Sequence, residues 1–202
     1  MIKDFLVINC TGKNDSILLK FDNKFFIKKI QTNLTKNEML VLDIFNFLRD
    51  HNAYIDKNLS IIVNSGPGSF SGIRISLAVA KGLKLVKKIN IYGYNYFLLN
   101  AAPYLKERRK IISIQKTNNF YYFSEGIFDN AYNFSLPRKI DFNKLKTEDA
   151  VIVTSSETMN DEIINNIGKE KIKMVEFNLK NVDLLIANNL LEYKLIKPLY
   201  LS

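Results

Sequence analysis

The chain has 202 residues but only one cysteine, one histidine and no tryptophan. A lone Cys10 cannot close an intrachain disulfide, and Cys10 with His51 leaves too few soft ligands for a zinc site. The same scarcity removes Ser-His-Asp and Cys-His catalysis unless His51 itself serves, and His51 follows Arg49 and Asp50 at an expected helix end. No apolar run approaches the roughly 18 residues that a membrane-spanning helix needs. Met1 leads into the strand-like segment Phe5-Leu-Val-Ile8 and not into a signal peptide. A cytoplasmic protein without membrane contact is the expectation, with Cys10 packing as a small apolar residue.

What is present is a foldable composition: 47% of residues are hydrophobic and 24% charged, enough to bury a core in one domain or two small ones. Lys and Arg number 29 against 20 Asp and Glu, a formal charge of +9. Clustered cations neutralise phosphates, so this balance raises nucleic-acid binding. The one dense cluster, Lys106, Arg108, Arg109 and Lys110, is interrupted by Glu107 at a helix-to-strand connection. It reads as a solvated turn, with tRNA contact as the alternative.

Apolar runs at Phe5-Leu-Val-Ile8, Ile17-Leu-Leu19 and Phe25-Phe-Ile27, separated by Gly12-Lys-Asn-Asp15 and Asp22-Asn23, predict a three-stranded meander. Thr35 with Glu38 three residues later has the form of a capping box, and residues 36–50 have helical periodicity. Residues 59–63 predict a buried strand, 65–72 a glycine-rich loop, and 73–88 a helix. A strand at 89–92 and a helix at 96–106, kinked or shortened by Pro103, follow. Strands at 110–115 and 120–126 predict a hairpin turning at Asn118-Asn119. Residues 129–149 are polar and irregular. A strand at 150–154 and helices at 157–167 and 182–192 complete the chain, with no internal repeat evident. Strands followed by alternating strand and helix give an α/β fold with a mixed sheet flanked by helices. Its order matches the ribonuclease-H-like half of the actin and sugar-kinase architecture, with a reduced second subdomain. The expected division is 1–105 and 106–202, the last segment returning to the first part.

The most distinctive stretch is Gly66-Pro67-Gly68-Ser69-Phe70-Ser71-Gly72, with Arg74 just beyond, between a strand and a helix. Backbone N–H groups in such a loop can approach an anion at a helix N-terminus. The spacing lacks the Gly-Lys-Ser/Thr of a P-loop and differs from G-x-G-x-x-G. The alternative is a tight turn in which glycines allow unusual dihedrals and close packing.

On a helical wheel Arg74, Lys81, Lys84 and Lys88 share one stripe of the second helix, and Asp43, Asn46, Arg49 and Asp50 one stripe of the first. Most of the remaining circumference of both is apolar, more than the arc of somewhat over 100° that a surface helix buries. Two such helices predict a second buried face, intramolecular or an interface, with ordinary packing against the sheet as the alternative. Met39 and Leu42, with Leu77, Ala78 and Leu85, fall within or beside the polar stripes and are candidates for an apolar patch that a partner covers. Ala78, Ala80 and Gly82 would let helices approach closely. Tyr121 and Phe123 are expected on one face of their strand and Phe120 and Tyr122 on the other, with Asp161 and Glu162 solvated neighbours on a helix.

The run Gly66-Pro-Gly-Ser-Phe-Ser-Gly-Ile-Arg74, continued by Ile75-Ser-Leu-Ala-Val-Ala-Lys-Gly-Leu83, resembles the signature of the bacterial TsaB (YeaZ) family, which usually has Thr in place of Ser71. The opening Leu6-Val-Ile-Asn-Cys-Thr11 and the closing Lys197-Pro-Leu-Tyr-Leu201 extend the resemblance to both ends of the chain. It implies a catalytically degenerate actin-like protein, without catalytic residues or a metal, that pairs with the homologous TsaD. Together with the ATPase TsaE, that complex places threonylcarbamoyl on the tRNA adenosine beside the anticodon. The resemblance implies a helix-mediated heterodimer with TsaD, for which Met39, Leu42, Phe45, Leu77, Ala78, Lys81 and Leu85 are the expected contacts. It also implies TsaE and tRNA reached through the complex, a homodimer when the chain is alone, and no tightly bound cofactor, with ATP or ADP entering in the complex.

The chain departs from the family pattern at Asn9, where the family commonly has Asp, at Gln115-Lys-Thr117 in place of Asp-Ala-Arg, and at Ser202 in place of a closing Arg. Asn9 removes an acidic metal anchor at the first strand's end, the alternative being a plain polar strand end. Two other functions stay open: a small actin-like ATPase or sugar kinase using the glycine loop, and a basic tRNA-binding module. Phe120-Tyr-Tyr-Phe123 would supply base stacking in the latter.

Overall fold

The computed structural model describes residues 2–12, 15–30, 39–117, 119–127, 134–159, 167–168, 171–193 and 196–201. The chain divides into two compact units, Met1–Asn95 with Leu191–Tyr200, and Tyr96–Leu190 with Leu201–Ser202. The change of unit falls at Asn95/Tyr96, ten residues before the expected 105/106.

In the first unit, β1 (Asp4–Asn9), β2 (Ser16–Phe21) and β3 (Lys24–Lys29) form the meander. Asp22 and Asn23 both take positive φ, the geometry that lets a two-residue turn follow the strand twist. β4 (Leu59–Asn64) pairs in parallel with β1, and β5 (Ile91–Tyr94) with β4, giving the order β3-β2-β1-β4-β5. β4, between β1 and β5, is buried at every residue, which is why it is apolar apart from Ser60 and Asn64. β3 lies at the edge and carries Lys24, Lys28 and Lys29, charges that guard an open ladder. Helix α1 (Leu40–Asp50) buries Leu40, Ile44, Phe47 and Leu48, and α2 (Phe70–Lys87) buries Ile73, Leu77 and Ala80 in the same core.

The second unit opens with α3 (Tyr96–Ala101) and a 3-10 turn, Ala102–Glu107, in which Pro103 ends the α-helical ladder as expected. β6 (Lys110–Thr117) and β7 (Phe120–Ile127) form the hairpin, β8 (Arg138–Lys139) pairs with β7, and β9 (Ala150–Ser155) and β10 (Ile172–Val175) lie parallel beside β6. The order β8-β7-β6-β9-β10 repeats that of the first unit, strand for strand and direction for direction. The repeat is one of topology and leaves no trace in the residue sequence. The smaller second subdomain keeps a full five-stranded sheet. The described part of α4 is Ser156–Met159, and α5 spans Leu179–Ala187.

Several boundaries differ from expectation. α2 begins at Phe70, because the Ser69 hydroxyl accepts a hydrogen bond from the Gly72 N–H (3.3 Å) and so caps the helix three residues early. α5 begins at Leu179, where the Asn178 side chain accepts from the Asn181 N–H (3.0 Å). It stops at Ala187, just before Asn189 takes positive φ. β8 and β10 carry no apolar run to announce them. Thr35, Glu38, Asn118, Asp161 and Glu162 lie outside the described residues.

Candidate functional site

The glycine loop leaves β4 against the end of β1. At the tip of β1 the Asn9 side-chain oxygen accepts from Thr11 Oγ1 (3.1 Å) and from Asn64 Nδ2 (2.9 Å), and the Asn64 oxygen accepts from the Gly66 N–H (2.9 Å). Asn9 is thus a buried part of the loop's own hydrogen-bond network. The loop glycines are placed by backbone contact. Gly66 has φ +120°, and a Cβ there would lie 2.7 Å from the Leu199 carbonyl oxygen. A Cβ on Gly68 would meet the Thr11 carbonyl, and one on Gly72 the Cys10 carbonyl. Ser69 N–H donates to the Thr11 oxygen (2.6 Å). The groups facing Gly68 and Gly72 are therefore carbonyl oxygens, which repel a phosphate where a P-loop offers donors.

The C-terminal segment straps the same region. Leu199 N–H donates to Ser65 O (2.7 Å), Tyr200 packs on Phe70 (4.9 Å between ring centroids), and Arg74 lies 4.2 Å over the Phe70 ring. Upstream, Gly93 and Glu192 exchange two backbone hydrogen bonds of 2.8 Å, and Tyr193 packs on Tyr92. Burial raises the Glu192 carboxyl above its ordinary value. The folded chain then holds that proton more tightly than the unfolded chain, a contribution to stability that is present at low pH and lost as pH rises through the raised pKa. Glu192→Gln should therefore raise the Tm at pH 7, with the difference closing as pH falls to about 4, the ordinary carboxylate range. A parent chain that melts above the variant at pH 7 would contradict this.

Cys10 is buried at the loop's base, where desolvation and then Asp15 push its thiol far up, so it is a packing residue and no nucleophile. His51 caps the end of α1 and stacks on Phe26 (3.8 Å between ring centroids), with Phe47 edge-on. Among the described residues no three His, Cys, Asp or Glu side chains gather as a metal site. No helix of the described chain is long and apolar enough to cross a membrane.

The predicted partner face is brought together only in part. Met39, Leu42 and Phe45 on α1 and Ala78, Lys81 and Leu85 on α2 are exposed, Leu42 at 50% and Leu85 at 83%. Leu77 is not: it is 3% exposed and belongs to the core that holds Ile44 and Phe47 of α1. A wheel drawn for one helix does not register the second helix packed along its flank. Val41 and Val86 are exposed as well, Val86 at 76%. The 18 residues of α2 extend about 27 Å, whereas the six residues of β4 reach about 20 Å. Leu85 and Val86, in the last turn of α2, are both exposed although they point in different directions. Leu42, Phe45, Arg49 and Tyr54 line a shallow groove that Lys87 at the end of α2 also borders, so the two helices contribute to one surface.

In the second unit, Tyr121 and Phe123 join the Ile112, Ile114 and Ile152 cluster on one face, while Tyr122 is buried on the other. Lys106, Arg108 and Arg109 are exposed around the left-handed Arg108 that ends the 3-10 turn.

Two five-stranded sheets, each of the order 3-2-1-4-5, have the architecture of the actin-like, ribonuclease-H-like fold. No family profile matches the chain. It is 34% identical over 129 residues to the tRNA threonylcarbamoyladenosine biosynthesis protein TsaB of Buchnera aphidicola subsp. Baizongia pistaciae, across 60% of this chain and 58% of that one. The match thus spans under two thirds of the curated relative's length. Its fold is that of YeaZ from Pseudomonas aeruginosa (TM-score 0.67, 12% identity, 98% of this chain and 100% of the other). A P. aeruginosa protein described by its similarity to peptidase YeaZ gives a TM-score of 0.69 at 12% identity, over 99% of this chain and 100% of that one. The chain is thus similar in sequence to a TsaB protein over part of its length and shares the YeaZ fold over nearly all of it.

Proposed function

We propose that this chain is a non-catalytic subunit in the synthesis of threonylcarbamoyladenosine on tRNA, supporting TsaD through a heterodimer. The observation that carries this reading is the exposed apolar set Met39, Val41, Leu42 and Phe45 on α1 with Leu85 and Val86 on α2. An apolar surface on two adjacent helices suits a partner that removes it from water. The filled loop and the hydrogen-bonded Asn9 support the absence of independent catalysis, and they speak against the ATPase or sugar-kinase alternative. ATP or ADP enters the assembly through TsaD and TsaE, and the free chain pairs with itself through the same helices until TsaD replaces the copy.

Leu42→Asp and Leu85→Asp each place a charge at an exposed position, so both chains should fold as the parent does. Each is expected to weaken assembly with the TsaD of the same organism by tenfold or more, about 1.4 kcal/mol. Size-exclusion chromatography with light scattering reads this directly. Parent-like complex formation by both variants would refute the interface, and no complex from the parent would refute the partnership.

A further inference from the structure

The hairpin of the second unit sets Ile112 opposite Glu125 and Ile114 opposite Phe123, and β8 sets Arg138 opposite Phe123. The two-residue period of a strand places Lys110, Phe123, Glu125 and Arg138 on one face. They line a hollow whose rim is completed by the Lys139 position, Asp141, Lys144 and Lys146. Lys139 itself stands opposite Tyr122, so its side chain belongs to the other face of the sheet, and four cations stand against two acids in the hollow. Glu125 is engaged by Lys110 (2.7 Å) and Arg138 (2.7 Å), and Asp141 by Lys144 (3.3 Å). Lys146 has no acidic partner among the described residues.

The aromatic side chain here holds a cation: Arg138 lies 5.1 Å over Phe123. A ring face occupied in this way positions the charge and is withdrawn from apolar contact. The core of a protein interface needs free apolar anchors and is depleted in lysine. This hollow has the side chains of three lysines and its ring is capped, which fits a chain of repeating anions better than a protein surface.

We propose that this hollow is a phosphodiester-binding site through which the chain contacts RNA directly, with Lys144 and Lys146 meeting backbone phosphates. The choice of tRNA as ligand rests on the function proposed above. The test uses the full chain alone with an unmodified tRNA transcript, binding being followed by fluorescence anisotropy across a salt series. Lys144→Gln and Lys146→Gln combined should weaken binding tenfold or more. The plot of log affinity against log salt should become shallower by about 1.5–2, the loss of two phosphate contacts.

A charge-matched control, Lys24→Gln and Lys57→Gln, removes two exposed cations from the first unit. It should lose far less affinity. Equal losses in the two double variants, or no binding by the parent at about 50 mM salt, would overturn the site. So would a hollow variant that keeps tRNA but loses TsaD, which would make the surface a protein contact. Failure of the parent to assemble with TsaD would sink the proposed function while leaving this binding assay to stand by itself.

Discussion

Leu77→Asp should yield a chain that does not fold, although Leu85→Asp on the same helix should melt with the parent. Leu77 is buried among Ile44, Phe47 and Ile73, and removing such a side chain costs about 2–5 kcal/mol. The carboxylate adds the cost of an uncompensated buried charge, several kcal/mol in effective terms. The sum approaches or exceeds the whole stability of an ordinary domain, about 5–15 kcal/mol. Far-UV circular dichroism and urea titration of the two variants check the expectation. A Leu77→Asp chain unfolding cooperatively at the parent's urea midpoint would show that Leu77 lies on the surface. The contrast matters for the interface, because lost assembly in Leu77→Asp would report lost structure and say nothing of TsaD.

Gly72→Ala should destabilise the chain by about 1–3 kcal/mol, the usual cost of an overpacked site, while Gly82→Ala should stabilise it. Both glycines lie within α2, where alanine is favoured over glycine by about 1 kcal/mol. At Gly82 a Cβ meets nothing within 4 Å, so that preference is realised. At Gly72 the Cβ runs into the carbonyl oxygen of Cys10, and the clash exceeds the gain. Urea midpoints that rise for both variants would mean that the loop does not press on the end of β1. Such a result would also reopen the loop as a space for phosphate.

The Gly72 contact also marks how far the residues alone could be read. The loop was visible as a departure from phosphate-binding spacing, because a P-loop needs Lys and Ser/Thr at set distances from its glycines. That Gly68 and Gly72 serve Thr11 and Cys10 was not, since those partners lie more than 50 positions away in the chain. The apolar excess on α1 and α2 was legible as periodicity, a property local to each helix. The division of that excess was not. Leu77 and Leu85 are both leucines beside the lysine stripe, and only the flank covered by α1 and the reach of the sheet separate them. The hollow on the second unit gathers Lys110 with Arg138, Lys144 and Lys146, which no contiguous stretch displays as a cluster.

By itself the sequence determined the elements whose signals are local: the meander with its Asp22-Asn23 turn, the buried β4, the glycine loop, the shortening at Pro103 and the hairpin of β6 and β7. Local periodicity and turn chemistry act over a few residues, and those residues are adjacent in the chain. Only the tertiary structure decided that the second unit repeats the first sheet strand for strand, that the change of unit falls at Asn95/Tyr96, and which apolar side chains remain in water. Burial depends on what packs from elsewhere in the chain, and strand order on backbone pairing that a side-chain pattern leaves open.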